Sequence, residues 1–253
     1  MNSNAPFVSI IIPVLNEAGL IEAFLRTLRC LGANLEIIVV DGGSSDGTLS
    51  LAEPLADRLI AARRGRASQM NAGAEIARGK VLWFLHADLK APRNSIAQIT
   101  AALTDANVVG GCFRLRYPRP ESIYRVSDTL GNLGVKLFGF ALGDHGIFCR
   151  RSTFLRACGY PLVSILEDAE LYRRISRIGS MVQVREAIVS DPRTFERCGR
   201  YRTTAVYFLI LLLYVVGVPI PWLNWIYRRF HRSAGPKLIA PENLPSRAAI
   251  PEM

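Results

Sequence analysis

"VLWFLHADLK" (residues 81–90) runs a nearly unbroken apolar stretch into a histidine, an alanine and an aspartate. A run this short and this apolar reads as a strand buried on both faces. Its end delivers an imidazole and a carboxylate side by side. Working outwards, "FVSIIIPV" (residues 7–14) reads as a second buried strand, and residues 17–31 as a helix with Leu20, Phe24, Leu28 and Leu31 on one face. "LEIIVVD" (residues 35–41) is a further strand, followed by the turn "GGSSDGT" and a helix. "RLIAA" (residues 58–62) reads as another strand, and a helix carrying Met70, Ala74, Ile76 and Ala77 leads back to "KVLWFL". Strands alternating with helices predict an α/β fold whose sheet is mostly parallel and covered on both faces. Such sheets bind ligands outside the carboxyl ends of their strands. Glu17, Asp41 and Asp88 each fall at or just past a strand end, so three carboxylates distant in sequence are predicted to converge on one edge.

With 253 residues, half of them hydrophobic, the chain has the length for one large domain plus an appendage, and a disordered chain is excluded. Five cysteines (Cys30, Cys112, Cys149, Cys158, Cys198) show no CxxC spacing, which argues against a disulfide framework or zinc site and for a reducing compartment. The start, "MNSNAPFVSIIIPVLNE", lacks a basic leader and is read as no signal peptide. The net charge of +10 is uneven: seven arginines between Arg193 and Arg232 bracket the 23 uncharged residues 205–227. That length suffices to span a bilayer. Pro219 and Pro221 interrupt it, and Trp222, Trp225 and Tyr227 beside Arg228 and Arg229 suit a headgroup region. The segment is read either as membrane-embedded or re-entrant or as a helix lying in the interface, with a buried core helix as the third reading. Because these arginines flank an oily run, membrane contact is favoured over nucleic acid. The four prolines of residues 233–253 predict a disordered tail.

Carboxylates crowded at a sheet edge need a cation, which in a nucleotide site is commonly magnesium or manganese bridging carboxylate and phosphate. The glycines of "DGGSSDGT" let a ligand approach the backbone, and Ser44, Ser45 or Asp46 can cap the next helix. Neither a dinucleotide fingerprint nor a Walker loop is present.

Four motifs, "VSIIIPVLNE", "EIIVVDGGSSDGT", "RGRASQMNAGAEIARGKVLWFLHAD" and "LEDAEL", occur in the order and approximate spacing of the family 2 glycosyltransferases, and the resemblance covers about residues 7–190. It implies the GT-A nucleotide-diphospho-sugar transferase fold over residues 1–198, with a basic, hydrophobic, membrane-associated segment at 199–232. The chain is most similar to a bacterial subgroup with HAD in place of the usual DxD, and resembles carotenoid-acid glycosyltransferases. The resemblance implies a donor pocket of Pro13, Glu17, Asp41, Gly43, Arg66, Asn71, His86, Ala87 and Asp88, in which Asp41 accepts from a uracil edge. Asp88 ligates Mg2+ or Mn2+, and His86, standing where an aspartate is usual, is either a second ligand or a histidine packed at the strand end.

In "ILEDAELYRRI" the acids begin a helix, where their charge is favourable in any protein. The resemblance makes Asp168 the catalytic base of an inverting transfer. Asp144, His145 and Glu167 fall to the sugar and acceptor pocket, with a satisfied loop histidine as the alternative for His145. Arg193, Arg197, Arg200 and Arg202 are diphosphate candidates or ordinary membrane-flanking charge; no QxxRW follows. "YRVSDTLGNLGVKLFGFALG" (residues 124–143) has the spacing of an amphipathic helix at a membrane face. The resulting expectation is a transferase on the cytoplasmic side of the cell membrane, moving a sugar from a UDP-linked donor to a hydroxyl or carboxyl of an apolar or lipid acceptor. The competing readings are a fold-retaining membrane scaffold without catalysis and a nucleotidyltransferase. The latter should carry a Gly-rich basic loop where this chain has "PVLNE".

Overall fold

In the computed structural model, which describes residues 7–232, one eight-stranded sheet carries the chain in the order β3-β2-β1-β4-β7-β6-β8-β5. β1 (Val8–Val14), β2 (Leu35–Asp41), β3 (Arg58–Ala61) and β4 (Val81–Phe84) form its parallel half, joined by α1 (Ile21–Arg29), α2 (Thr48–Ala52) and α3 (Arg66–Ile76). The apolar runs are continuous because both faces are covered. Val8, Ile10, Ile12, Ile37, Val39, Val81 and Trp83 pack on one side of the sheet, while Ile11, Ile38, Val40, Leu82 and Phe84 pack on the other. This is the period-two alternation of a strand expressed entirely in hydrophobic residues.

The second half is mixed. β5 (Leu89–Lys90), α4 (Ser95–Ala102) and β6 (Val108–Arg116) lead into α5 (Ser122–Phe138). β7 (Phe148–Arg150) then runs antiparallel to both β4 and β6. α6 (Arg151–Arg156), α7 (Glu167–Ser176) and β8 (Ser180–Ser190) follow, β8 lying parallel to β6 and antiparallel to β5. Glycine is required where β6 meets its neighbours: a Cβ on Gly110 would lie 2.5 Å from the Phe148 carbonyl oxygen, and one on Gly111 2.3 Å from that of Val182.

The oily C-terminal run is two helices. α8 (Arg193–Cys198) precedes α9 (Arg200–Val215), and after a break at Gly217, where φ is +88°, α10 (Ile220–Arg232) begins just past Pro219. Among the described residues no helix is long and apolar enough to cross a membrane. The 16 residues of α9 rise about 24 Å, short of a hydrocarbon core of about 30 Å. The uncharged run 205–227 is therefore not a single spanning helix. One side of the α9–α10 hairpin is core: Ile210, Tyr214 and Leu223 pack with Phe140, Ile165 and Ala169. The other side is open, with Phe208, Leu212, Val216, Trp222 and Trp225 exposed, and Leu133, Leu137 and Phe138 of α5 are exposed as well. The expected tail at 233–253 lies outside the described residues.

A buried charge interrupts the apolar rule of the strands. Glu36 of β2 is 1% exposed and sits in register with Ser9 of β1. Its carboxylate accepts hydrogen bonds from Ser9 Oγ (2.5 Å) and from the backbone N–H and Nε of Arg78 (2.8 and 2.9 Å). Burial raises its pKa, but the Ser9 and Arg78 bonds together outweigh that and leave it below the ordinary value of 4.5. The arginine partner stays exposed, so what Glu36→Ala loses is hydrogen bonding to a buried carboxylate, and unfolding stability in urea should fall by about 1.5–3 kcal/mol. Because the folded-state pKa is depressed, the contribution is present above pH 4.5 and is lost as pH falls below it. Wild type and variant should therefore converge in acid.

Candidate active site

The carboxyl ends of β1 and β2 are held by one side chain. Gln69 of α3, 4% exposed, donates from Nε2 to the carbonyls of Val14 (2.9 Å) and Val40 (2.8 Å). The loops beyond these ends are laced together: Asn16 N–H donates to Ser44 Oγ, Ser45 N–H to Asn16 Oδ1 and Glu17 N–H to Thr48 Oγ1. Asp46 accepts from the N–H groups of Thr48 and Ala18. Asp41, 3% exposed, accepts from the N–H groups of Gly43 (2.8 Å) and Ser44 (3.0 Å) and from Ser44 Oγ (2.5 Å). It therefore shapes the glycine loop, whose Gly43 has φ of +96°.

A cleft of about 180 Å³ opens beside these loops, lined by Pro13, Glu17, Arg66, Gln69, His86, Ala87, Asp88 and Asp144. Asp144 is carried on a single 3-10 turn, Gly143–His145, between α5 and β7. Ser190 Oγ donates to its Oδ2 at 3.2 Å, and the Tyr117 hydroxyl lies 3.5 Å away. Burial and then the charge of Asp88 push the Asp144 carboxyl up to about 6. Deeper lie Glu167 and Asp168, in the first turn of α7 and 3% and 5% exposed. Arg66 Nε lies 2.9 Å from Glu167 Oε1. Burial and then the neighbouring Glu167 push the Asp168 carboxyl up to about 7.

His86 is half-buried at the cleft, with its Nε2 buried and without a hydrogen-bond partner. Burial and then Arg66 push the imidazole down to about 4, so it is neutral at physiological pH. A Cβ on Gly143 would lie 2.3 Å from His86 Nε2 and 2.7 Å from Asp168 Oδ2. The imidazole and the carboxylate thus both close on the same bare Cα. At the mouth, Arg193 of α8 faces Asp88 (3.4 Å), Asp191 (3.5 Å) and Glu17 (3.9 Å).

Several residues singled out in the sequence lie elsewhere. His145 is 1% exposed and belongs to the core: its Nδ1 accepts from Leu142 N–H (3.3 Å), and the ring packs on Gly131 of α5. Asn71 uses both ends of its amide on the backbone of Tyr160, donating to the carbonyl (2.9 Å) and accepting from the N–H (2.8 Å). Arg200 pairs with Glu121, and Arg197 is exposed on α8. Tyr160, Gln69, Tyr117 and Ser190 were not foreseen. Gln69, Tyr117 and Ser190 bond partners 27 or more residues away in sequence, and Tyr160 bonds Asp168 across the connection between α6 and α7.

Among the described residues no group of three His, Cys, Asp or Glu side chains is placed to enclose a metal ion. A hard divalent ion that completes its shell with substrate phosphate needs only one or two carboxylates. Asp88, one-third exposed at the mouth of an acid-lined cleft, fits that requirement.

The family model of glycosyl transferase family 2 matches residues 9–157, more than half of the chain. The chain belongs to glycosyl transferase family 2. An undecaprenyl-phosphate 4-deoxy-4-formamido-L-arabinose transferase of Aeromonas hydrophila is 32% identical over 164 residues, covering 59% of this chain and 49% of that protein. A glycosyltransferase of Haloferax volcanii is 30% identical over 148 residues, covering 54% and 49%. The chain thus spans about half the length of the curated relatives it matches. Among solved structures, a mannosyltransferase of Pyrobaculum calidifontis in complex with GDP-mannose and Mn2+ superposes with TM-score 0.66 at 23% identity, covering 92% of this chain and 72% of that one. Glucosyl-3-phosphoglycerate synthase of Mycobacterium tuberculosis, in complex with Mn2+, UDP and glucosyl-3-phosphoglycerate, gives 0.58 at 20% identity, covering 85% and 81%. The fold is GT-A-like, a mixed sheet flanked by helices.

Gly143→Ala tests the close approach of His86 and Asp168 to the Gly143 backbone. The added methyl must displace one of the two, so stability should fall by about 1–3 kcal/mol, the cost of overpacking, while turnover should fall far further. Thermal denaturation beside initial rates separates the two effects.

Proposed function

We propose that this chain transfers a sugar, with inversion, from a nucleotide-sugar donor to a hydroxyl of an apolar, lipid-borne acceptor at the cytoplasmic face of a membrane. The observation that carries this reading is the convergence of Glu17, Asp88, Asp144 and Asp168 around Arg66 at the carboxyl end of the sheet. The donor's diphosphate enters beside Asp88, which would hold a divalent ion; bound there, such an ion would supply positive charge for the leaving diphosphate. The complexes with Mn2+ and either GDP-mannose or UDP among the structural neighbours support a metal-assisted nucleotide-sugar site, and a UDP-linked donor is the preferred choice. In this assignment His86 keeps its place against Gly143, and metal ligation is left to Asp88.

The acceptor oxygen attacks the anomeric carbon opposite the diphosphate. Its proton passes to Asp168, the bond to the diphosphate breaks, and the nucleoside diphosphate leaves with the electron pair. A base that must be ionised to act and that titrates near 7 makes the rate rise as pH increases through that value. Arg193 meets the diphosphate by exchanging its carboxylate partners for phosphate oxygens.

A second reading, transfer to a lipid phosphate, is favoured by the name of the Aeromonas hydrophila relative, an undecaprenyl-phosphate 4-deoxy-4-formamido-L-arabinose transferase. A phosphate monoester acceptor ionises unaided, with a second pKa of about 6, and needs no base. The two readings are separable. On a hydroxyl acceptor Asp168→Asn should lose about 100-fold to 10,000-fold in turnover with donor affinity nearly intact; on undecaprenyl phosphate the loss should be small. A panel of UDP- and GDP-sugars, titrated calorimetrically with and without Mn2+, identifies the donor. Asp88→Ala should abolish the metal-dependent part of that binding, and undiminished binding would remove Asp88 as ligand.

The membrane face is assigned to the open side of α5, α9 and α10. Trp222 and Trp225 are 67% and 59% exposed, and the Arg229 guanidinium stacks over Trp225 at 5.7 Å. Aromatic residues beside arginines suit the boundary between acyl chains and anionic headgroups. The full chain should float with phosphatidylglycerol vesicles, and replacing both tryptophans by serine should weaken that binding about tenfold or more. Equal binding by wild type and variant would move the docking face elsewhere.

A further inference from the structure

Asp168 presents two oxygens, and one of them is already engaged. The Tyr160 hydroxyl donates to Oδ1 at 3.1 Å, while Oδ2 lies against the bare Cα of Gly143, where a Cβ would come within 2.7 Å of it. Tyr160 lies in the connection between α6 and α7, a stretch without secondary structure of its own, yet it is 2% exposed. Three contacts hold it there. Its ring stands edge-on to Phe84 of β4 (5.0 Å between centroids, 87°) and packs near Phe154 of α6 (6.1 Å). Its backbone is clamped in both directions by the Asn71 amide of α3. The turn before it allows Asn71 to approach: Gly159 has φ of +66°, and a Cβ there would lie 2.6 Å from Asn71 Oδ1. A side chain at 159 would be strained twice over, by its backbone and by that contact.

We infer that Tyr160 is a positioning residue for the transfer, fixing the Asp168 carboxylate through Oδ1 so that Oδ2 is the oxygen offered to the acceptor, with Asn71 holding Tyr160 in place. The inference rests on the reading of Asp168 as general base. A carboxylate free to rotate about its last torsion would present either oxygen, and proton transfer requires one aligned with the acceptor. A hydroxyl that only donates to Oδ1 leaves the second oxygen with its proton-accepting capacity. The same bond favours the ionised carboxylate and partly opposes the rise caused by burial and Glu167. Asn71 is thereby given a role in the architecture behind the base, in place of the donor contact expected from its motif.

Tyr160→Phe removes the hydroxyl and keeps the ring in its aromatic setting. A hydrogen bond to a charged group is worth about 10-fold to 100-fold in an equilibrium or a rate, so kcat should fall by that factor with donor KM unchanged. In the full chain labelled with 13Cγ-aspartate, the Asp168 resonance, assigned by its loss in Asp168→Asn, should titrate about one pH unit higher in Tyr160→Phe. A wholly structural Tyr160 would lower the melting temperature and leave both readouts at their wild-type values, which would overturn the inference. Asn71→Ala should shift the Asp168 titration in the same direction while donor affinity stays at the wild-type level; loss of donor binding without that shift would return Asn71 to the donor pocket and overturn its part. Asp168→Asn is the separate control. If it retains full turnover the base assignment fails; if it is inactive while Tyr160→Phe is unaltered in rate and titration, the base assignment stands and Tyr160 is dismissed.

Discussion

The chemistry of this molecule depends on an excess of carboxylate in a place with little water. Asp168 is buried and Asp144 half-buried, both are pushed towards neutral pH, Glu167 is buried beside Asp168, and Glu17 and Asp88 close the mouth. Such a cluster is tolerable only with cations near it. Arg66, at the start of α3, meets Glu167 from inside, and Arg193, at the start of α8, meets Glu17 and Asp88 from the solvent side. The parallel half of the sheet exists, in functional terms, to bring the N-terminus of α3 and the ends of β1 and β4 to one point. The antiparallel insertion of β7 between β4 and β6 brings Gly143 and Asp144 to the same point from the other side.

Much of this was legible in the residues. The alternation of apolar strands with helices, and the placing of Glu17, Asp41 and Asp88 at strand ends, follow from periodicity and need no long-range information. Glu17 and Asp88 do share the cleft. Asp41 stands apart because its oxygens are spent on Gly43 and Ser44, a local competition that the "DGGSSDGT" loop announces only in hindsight.

What was not legible depends on pairs far apart in sequence. His145 looked like a site residue between two glycines, but its environment is set by Gly131, on a different helix. The burial of Glu36 is made possible by Ser9, which only strand register brings opposite. Tyr160 carried no signal at all, since a tyrosine in a connecting segment acquires meaning only when α3 supplies Asn71 and α7 supplies Asp168. The oily run misled by its length: its prolines were visible, but its division into one packed and one open side depends on α5 and α7.

The hairpin is joined to the site by more than proximity. The Tyr214 hydroxyl of α9 donates to Glu170 Oε1 of α7 at 2.6 Å, and the Arg173 guanidinium, one turn further along α7, lies 4.4 Å from the centre of the Tyr214 ring. Glu170 is two residues from Asp168 on the same helix. Under the membrane-docked reading, the aromatic side of the hairpin and the reacting carboxylate therefore belong to one rigid body, and their separation is a built-in ruler. Choice of acceptor becomes a matter of altitude: an anchored molecule reacts when its nucleophile stands at the height above the lipid that this ruler sets, whatever the chemistry of the tail below.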